Sequence, residues 1–351
     1  MTALPVLLVG ILAYANSFSV PFLFDDWLFI LDPRTRSFFQ PLWKALLPLP
    51  YCEPFMYRPL VLFSLALNYT LGGLRLWGYH GVNLGIHLLN ALLILGLVRR
   101  TLRSPRLRDR FGPDSRGIAL AVALLWVVHP LQTESVTYIW QRAESLMALF
   151  ALLTLHGLIR SAEPPGKKKW KILTVAACAI GMAGKQTMVV VPLLALAYDR
   201  IFLAGSWWEL SRQRKGLHLA LAATWLILPA LLMTANNQVA SSAGFSYSQR
   251  VGYWAFIRTE PSVVLHYLRL VFWPRPLILD EDQHVHDWAR KRLDLKPGMT
   301  GLWQVLGRSE IPFEEMVKLD YMYVTGWSLK TDLQLIARTV PVAFGRRKGA
   351  C

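Results

Sequence analysis

Apolar residues come along this chain in sustained blocks, without the strict alternation of a half-buried strand, and short polar or basic stretches separate them. The blocks are Ala3 to Val20, Pro59 to Leu71, Gly81 to Val98, Gly117 to Leu131, Tyr138 to Ile159, Ile172 to Gly184, Met188 to Tyr198, Gly216 to Thr234 and Pro261 to Trp273. A helix crossing a bilayer must cover roughly 30 Å at about 1.5 Å per residue. Some of the blocks approach that length. Pro59 to Leu71 does not, and its Pro, Trp and Tyr surroundings predict an interfacial or re-entrant helix. Several other blocks are short, which predicts tilt, local thinning or a recessed water-filled cavity. After Trp273 no block is long enough to cross, and the rest reads as a small, mostly helical, cytoplasmic or membrane-surface segment.

Composition and charge sharpen this into a mainly α, polytopic helical membrane protein. Of its 351 residues 54% are hydrophobic, and mean hydropathy is +0.34. The formal net charge is +16, but the tail from Arg275 onward is nearly balanced, so the excess belongs to the membrane part. It concentrates in Arg99 to Arg116, Lys167 to Lys171 and Arg200 to Lys215, each between apolar blocks, where the positive-inside rule places cytoplasmic loops. Nucleic-acid binding explains that distribution poorly. The rule sends Ala3 to Val20 outward as a retained span and leaves everything from Pro21 to about Tyr79 outside. Ile172 to Gly184 and Met188 to Tyr198 become an out-and-back pair with Lys185 at its tip. One long helix from Ile172 to Arg200 would put the cluster after it outside, against the rule. Cys52, Cys178 and Cys351 have neither metal-ligand spacing nor a disulfide pattern.

On this topology one face gathers Asp25, Asp26, Arg58, His80, Asn83, His87, His129, Glu134, Arg142, Glu144 and Lys185. Ionisable groups at membrane depth are costly unless paired or hydrated, so such a set is either a group of interhelical ion pairs or a site. The chemistry that needs it is glycosyl transfer from a lipid phosphate. A carboxylate, Asp25 or Asp26, deprotonates the acceptor hydroxyl. Arg58, Arg142 and Lys185 are candidates for the departing phosphate. His80, His87 and His129 suit sugar hydroxyls, orientation of the acids, or a divalent metal such as Mg or Mn held with the carboxylates; their spacing selects none of these.

Phe24-Asp25-Asp26, Tyr57-Arg58-Pro59-Leu60, Tyr79-His80 with Asn83, His87 and Asn90, His129-Pro130 with Thr133-Glu134, Arg142 with Glu144, Lys185, and Pro192 to Asp199 follow one another in a recognisable order. In this order residues 1–274 resemble the membrane half of the transmembrane and tetratricopeptide repeat O-mannosyltransferases and their bacterial relatives. The resemblance implies a GT-C-like bundle, a polyprenyl- or dolichyl-phosphate sugar as donor, a protein or glycan acceptor, and a catalytic role for Asp25 and Asp26. Two departures stand out. The family commonly has Lys-Glu where this chain has Lys185-Gln186, and no 34-residue repeat follows.

Residues 275–351 form a second expected domain. Pro274-Arg275-Pro276, Lys296 to Val305, Gly307-Arg308-Ser309, Phe313-Glu314-Glu315, Leu319-Asp320 and Trp327-Ser328-Leu329 resemble the C-terminal part of the bacterial sugar transferases, which are polyprenyl-phosphate phosphoglycosyl transferases. The resemblance implies sugar-nucleotide or phosphate contacts for Arg275, Lys296 and Arg308. It also implies a re-entrant helix and an Asp-Glu dyad upstream of Pro-Arg-Pro, and no counterpart of that dyad stands there. The leading expectation is therefore a bacterial inner-membrane glycosyltransferase using a polyprenyl-phosphate sugar, with its acidic pair periplasmic and its C-terminus cytoplasmic. An undecaprenyl-phosphate sugar phosphotransferase of polysaccharide synthesis and an inactive membrane scaffold binding lipid-linked sugars are the alternatives.

Overall fold

The computed structural model describes residues 2–49, 58–163, 168–234, 253–274 and 334. The tail motifs, with Arg275, Lys296 and Arg308, lie outside the described residues. Among the described residues the secondary structure is helical.

The first compact unit comprises Met1–Phe18 and Phe22–Tyr253. Its opening apolar block is α1 (Ala3–Ala13), followed by a tighter helical turn at Ala15–Ser19. The single predicted span thus breaks at Tyr14, where the Ser17 hydroxyl donates to the Tyr14 carbonyl at 2.7 Å and stabilises the tight turn. A loop carrying the short α2 (Pro33–Arg36) leads toward α3 (Pro59–Gly72). Asp32 caps α2, its carboxylate accepting the Arg34 N–H at 2.8 Å, and Pro33 occupies the position where no N–H is needed. Gly73, at φ +61°, ends α3 in a conformation that disfavours a Cβ.

Next comes α4 (Leu76–Leu102), then the short α5 (Arg108–Phe111), α6 (Ser115–Val127), α7 (Thr133–Thr137) and α8 (Arg142–Ala162). They are followed by α9 (Lys168–Met182), α10 (Val191–Tyr198), α11 (Trp207–Ala223) and α12 (Ile227–Thr234). Among the described residues three helical stretches are long and apolar enough to cross a membrane: Leu76–Leu102, Ile139–Ala162 and Gln186–Leu203. A fourth arises if Ser115–Val127 and Pro130–Thr137, bent by 56°, form one broken span. Large apolar side chains such as Leu89, Leu125 and Leu193 are left exposed on these helices, as a lipid-facing surface requires.

In the bundle α4 packs against α6 and α8, and α8 against α9. Two glycines permit close approaches between these helices. A Cβ on Gly157 would lie 2.4 Å from Thr174 Oγ1 and 3.2 Å from its Cα, so α8 and α9 meet backbone to backbone there. A Cβ on Gly96 would lie 2.9 Å from the His156 ring, whose Nε2 donates to the Leu93 carbonyl at 2.7 Å.

Contacts between distant segments define two ends of this unit. At the basic end Arg100 pairs with Glu163, Arg103 bonds Ser115 and Thr101 bonds Tyr198. At the other, acidic end Asp26 accepts from Trp140, Arg142 reaches Tyr79 and Lys185 pairs with Glu144. The helical path is interrupted at 183–185, where Lys185 is extended (φ −158°, ψ 145°). The chain therefore runs from the basic end to the acidic end along α9 and returns along α10, a pair with Lys185 at its tip, and does not form one long helix. A second unit, Ser19–Pro21 with Trp254–Cys351, carries α13 (Tyr253–Phe272), which has Pro261 within it.

Candidate active site

The two neighbouring carboxylates occupy different environments. Asp26 is wholly buried; one oxygen accepts the Leu23 N–H at 3.0 Å and the other the Trp140 N–H at 2.8 Å. Its own N–H returns to the Leu23 carbonyl at 2.8 Å, closing a tight turn over Phe24. Phe24 stands at φ +42°, a strained conformation for a residue with a Cβ, costing about 1–3 kcal/mol. The turn's hydrogen bonds and the edge contact of the Phe24 ring with Tyr138 at 6.0 Å hold it there. Asp25, next along, is only half-buried. Its N–H donates to the Tyr138 hydroxyl at 3.1 Å, and its carboxylate lies within electrostatic reach of that hydroxyl. Burial pushes the Asp26 carboxyl up to about 6, against the pull of its backbone donors.

Arg58 begins α3 and is half-buried. Its guanidinium lies 5.5 Å from the centre of the Trp140 ring, whose indole stacks on Phe29 at 3.6 Å. Burial disfavours the Arg58 charge, and Asp25 is near enough to restore part of it. The Leu60 N–H donates to the Ala183 carbonyl at 3.1 Å, tying the start of α3 to the turn that carries Lys185. Lys185 pairs with Glu144 in the first turn of α8. Burial and the Arg58 charge pull the Lys185 ammonium down to about 8, while Glu134 opposes them. Glu134 is exposed and accepts from Gln141 Nε2 at 3.2 Å. Glu144 is thus the carboxylate partner of Lys185 in a chain that has Gln186 beside it.

Arg142 has other partners. It is fully buried; Nε donates to Asn83 Oδ1 at 2.6 Å, Nη1 to Asn68 Oδ1 at 2.7 Å and the Ser64 carbonyl at 3.2 Å, and Nη2 to the Tyr79 carbonyl at 3.1 Å. These bonds lock α3, α4 and α8 together directly beneath the acidic loop. His87 is also internal, its Nε2 3.0 Å from the Val127 carbonyl and its ring stacked on Trp126 at 4.7 Å. His80 is buried in α4, and His129 Nδ1 accepts the Leu131 N–H at 3.2 Å where α6 gives way to the bend before α7. Among the described residues no three His, Cys, Asp or Glu side chains converge to hold a metal ion.

The structure therefore brings Asp25, Arg58, Glu134, Glu144 and Lys185 into one electrostatic neighbourhood and sets Asp26, Arg142 and His87 among protein partners. Sequence reasoning missed Tyr138 and Trp140. Their signal was position: both lie in the acidic-end turn just before Arg142. It also missed a buried cluster in which Asp199 accepts from Arg214 Nε at 2.8 Å and meets His218 Nε2 at 2.8 Å.

Similarity to known proteins divides along the chain. The bacterial sugar transferase family model matches residues 268–346. A galactosyl transferase of Streptococcus agalactiae is 44% identical over 71 residues, 20% of this chain and 16% of that protein. The undecaprenyl-phosphate galactose phosphotransferase of Salmonella typhimurium is 42% identical over 77 residues, 22% of this chain and 16% of that protein. A protein O-mannosyl-transferase of Drosophila melanogaster is 27% identical over 308 residues, 83% of this chain and 30% of that protein. The chain spans less than a third of the length of each of these relatives. No solved structure matches it. The chain is a helical membrane protein similar over much of its length to protein O-mannosyl-transferases, and its residues 268–346 match the bacterial sugar transferase family model.

Proposed function

We propose that this chain is a membrane glycosyltransferase that takes its sugar from a polyprenyl phosphate at the acidic end of the bundle, on the periplasmic side of a bacterial inner membrane. The observation that carries the reading is the setting of Asp25: a half-buried carboxylate whose own backbone N–H is held by the Tyr138 hydroxyl at 3.1 Å, within the field of Arg58, which in turn acts on Lys185. Asp25 takes the proton of the acceptor hydroxyl as the new C1–O bond forms and the bond from C1 to the phosphate oxygen breaks. Arg58 and Lys185 hold the phosphate that departs. Asp26, with both oxygens on backbone N–H groups, is the anchor that presents Asp25, and Arg142 braces the helices under it. His129, Glu134 and Glu144 are left to orient sugar and acceptor, whereas His80, buried in α4, is left a packing role. The test is a panel of radiolabelled polyprenyl-phosphate hexoses offered to purified protein with membrane extract as acceptor. Release of unlabelled polyprenyl phosphate coupled to a labelled product supports the reading, and its absence across the panel opposes it.

A second reading is favoured by the family match at residues 268–346 and the likeness to a galactose phosphotransferase. In it, residues 275–351 form a separate domain that handles a sugar nucleotide through Arg275, Lys296 and Arg308. Incorporation of label from a UDP-sugar into a lipid pyrophosphate distinguishes it from the first.

A further inference from the structure

At the basic end, remote from the acidic loop, α4, α8 and α9 enclose a cleft of about 310 Å³. Its inner wall is apolar, formed by Leu93, Leu153 and Leu173. Its mouth is cationic and aromatic: Arg100 and Arg160 flank it, and Trp170 stands over Arg160 with 4.8 Å between guanidinium and ring. Lys169 lies 5.5 Å from the same indole on the outer rim. One carboxylate faces these groups. Glu163 accepts from Arg100 Nη1 at 2.5 Å and from Arg160 Nη1 at 3.2 Å, and its side chain is 42% exposed. Gly96 creates room for the His156 ring, whose bond to the Leu93 carbonyl fixes the floor.

We infer that this cleft binds one anionic glycerophospholipid of the bilayer, its phosphodiester at Arg100 and Arg160 and the first carbons of its chains along the three leucines. Three features argue for that occupant. Two guanidiniums against one carboxylate, with Lys169 on the outer rim, leave a net positive charge at the neck, which an anionic phosphodiester headgroup neutralises. Basic pockets between membrane helices, rimmed by tryptophan at the interface, are where anionic headgroups bind. The volume holds a headgroup and the beginnings of its chains, not a whole lipid, so the remainder lies along the exposed flank formed by Ile172 and Leu173. Glu163 is a placeholder: it keeps the two arginines parallel and yields when the phosphate arrives. Nothing in this inference depends on glycosyl transfer.

The test uses the full-length protein in detergent and native mass spectrometry. Dioleoylphosphatidylglycerol is titrated against dioleoylphosphatidylcholine, inorganic phosphate and undecaprenyl phosphate. The wild type is expected to retain one phosphatidylglycerol, and Arg100→Gln with Arg160→Gln to weaken that retention by roughly tenfold or more. Glu163→Gln, which removes the competing carboxylate and adds no bulk, is expected to strengthen it several-fold. Because Glu163→Gln predicts a gain, a folding defect in the arginine variant does not shelter the inference. Equal retention of phosphatidylcholine, displacement by inorganic phosphate or equimolar undecaprenyl phosphate, or weaker retention by Glu163→Gln would each overturn it.

Discussion

Replacing Arg142 by Met separates two roles that the residue's charge alone leaves equivalent. Methionine fills much of the same volume and donates no hydrogen bonds, so the acceptors around it are stranded. The Ser64 and Tyr79 carbonyls belong to helices or their first turns, but the side-chain oxygens of Asn83 and Asn68 lose their charged donor. A buried acceptor left without a partner costs about 1–3 kcal/mol, giving roughly 2–6 kcal/mol for two. Removing a buried cation also removes its desolvation penalty, which offsets part of that. The net expectation is a loss of about 2–4 kcal/mol, far above the roughly 0.5 kcal/mol typical of a surface substitution. The assay is equilibrium unfolding in mixed micelles of dodecylmaltoside and increasing sodium dodecyl sulfate, followed by tryptophan fluorescence. Arg142→Lys, able to satisfy one or two acceptors, should fall between the two. Unchanged stability of Arg142→Met, together with a selective rise in KM for a lipid-phosphate donor, would refute the bracing role and make Arg142 a phosphate ligand.

Further outcomes follow from the same geometry. Asp26, raised to about 6 in the fold against roughly 3.9 unfolded, favours the folded state below about pH 4, and that contribution of up to about 3 kcal/mol is lost as pH rises through 6. Unfolding midpoints measured from pH 4 to 7 should therefore lose part of their slope in Asp26→Asn. Gly157→Ala should destabilise by about 1–3 kcal/mol because the Thr174 backbone cannot retreat, whereas Gly216→Ala, with open space around it in α11, should be neutral or slightly stabilising in thermal melts. Asp199→Asn should cost about 3–5 kcal/mol by leaving the Arg214 charge buried without its carboxylate, and adding Arg214→Met should recover part of that loss in the same melts.

The helical blocks were legible because hydropathy marks lipid-facing and core residues alike. Their ends were less so. Gly81 to Val98 stops at the first arginines, yet α4 continues from Leu76 to Leu102, since Arg99 and Arg100 are good helix formers whose charge leaves the membrane without breaking the helix. The break at Tyr14 depends on a side-chain bond to a carbonyl three residues back, invisible to an apolar pattern. Charge placement showed that Lys185 sits at a turn, but not that Glu144, 41 positions earlier, would meet it. Arg142 and Glu144 are two residues apart and looked equivalent; a helix turns them about 200° from each other, one into Asn83 and the other toward Lys185. Likewise, Asp25 and Asp26 were a matched pair in sequence, and only the turn at Phe24 gives one of them two backbone donors and leaves the other half-buried.

The most direct measurement is single-turnover sugar transfer from a radiolabelled polyprenyl phosphate by protein reconstituted in nanodiscs, comparing wild type with Asp25→Asn and monitoring donor binding in parallel. Loss of a general base predicts a fall of roughly 10²–10⁴ in the transfer rate with donor still bound. Transfer at the wild-type rate by Asp25→Asn would contradict the assignment of that carboxylate.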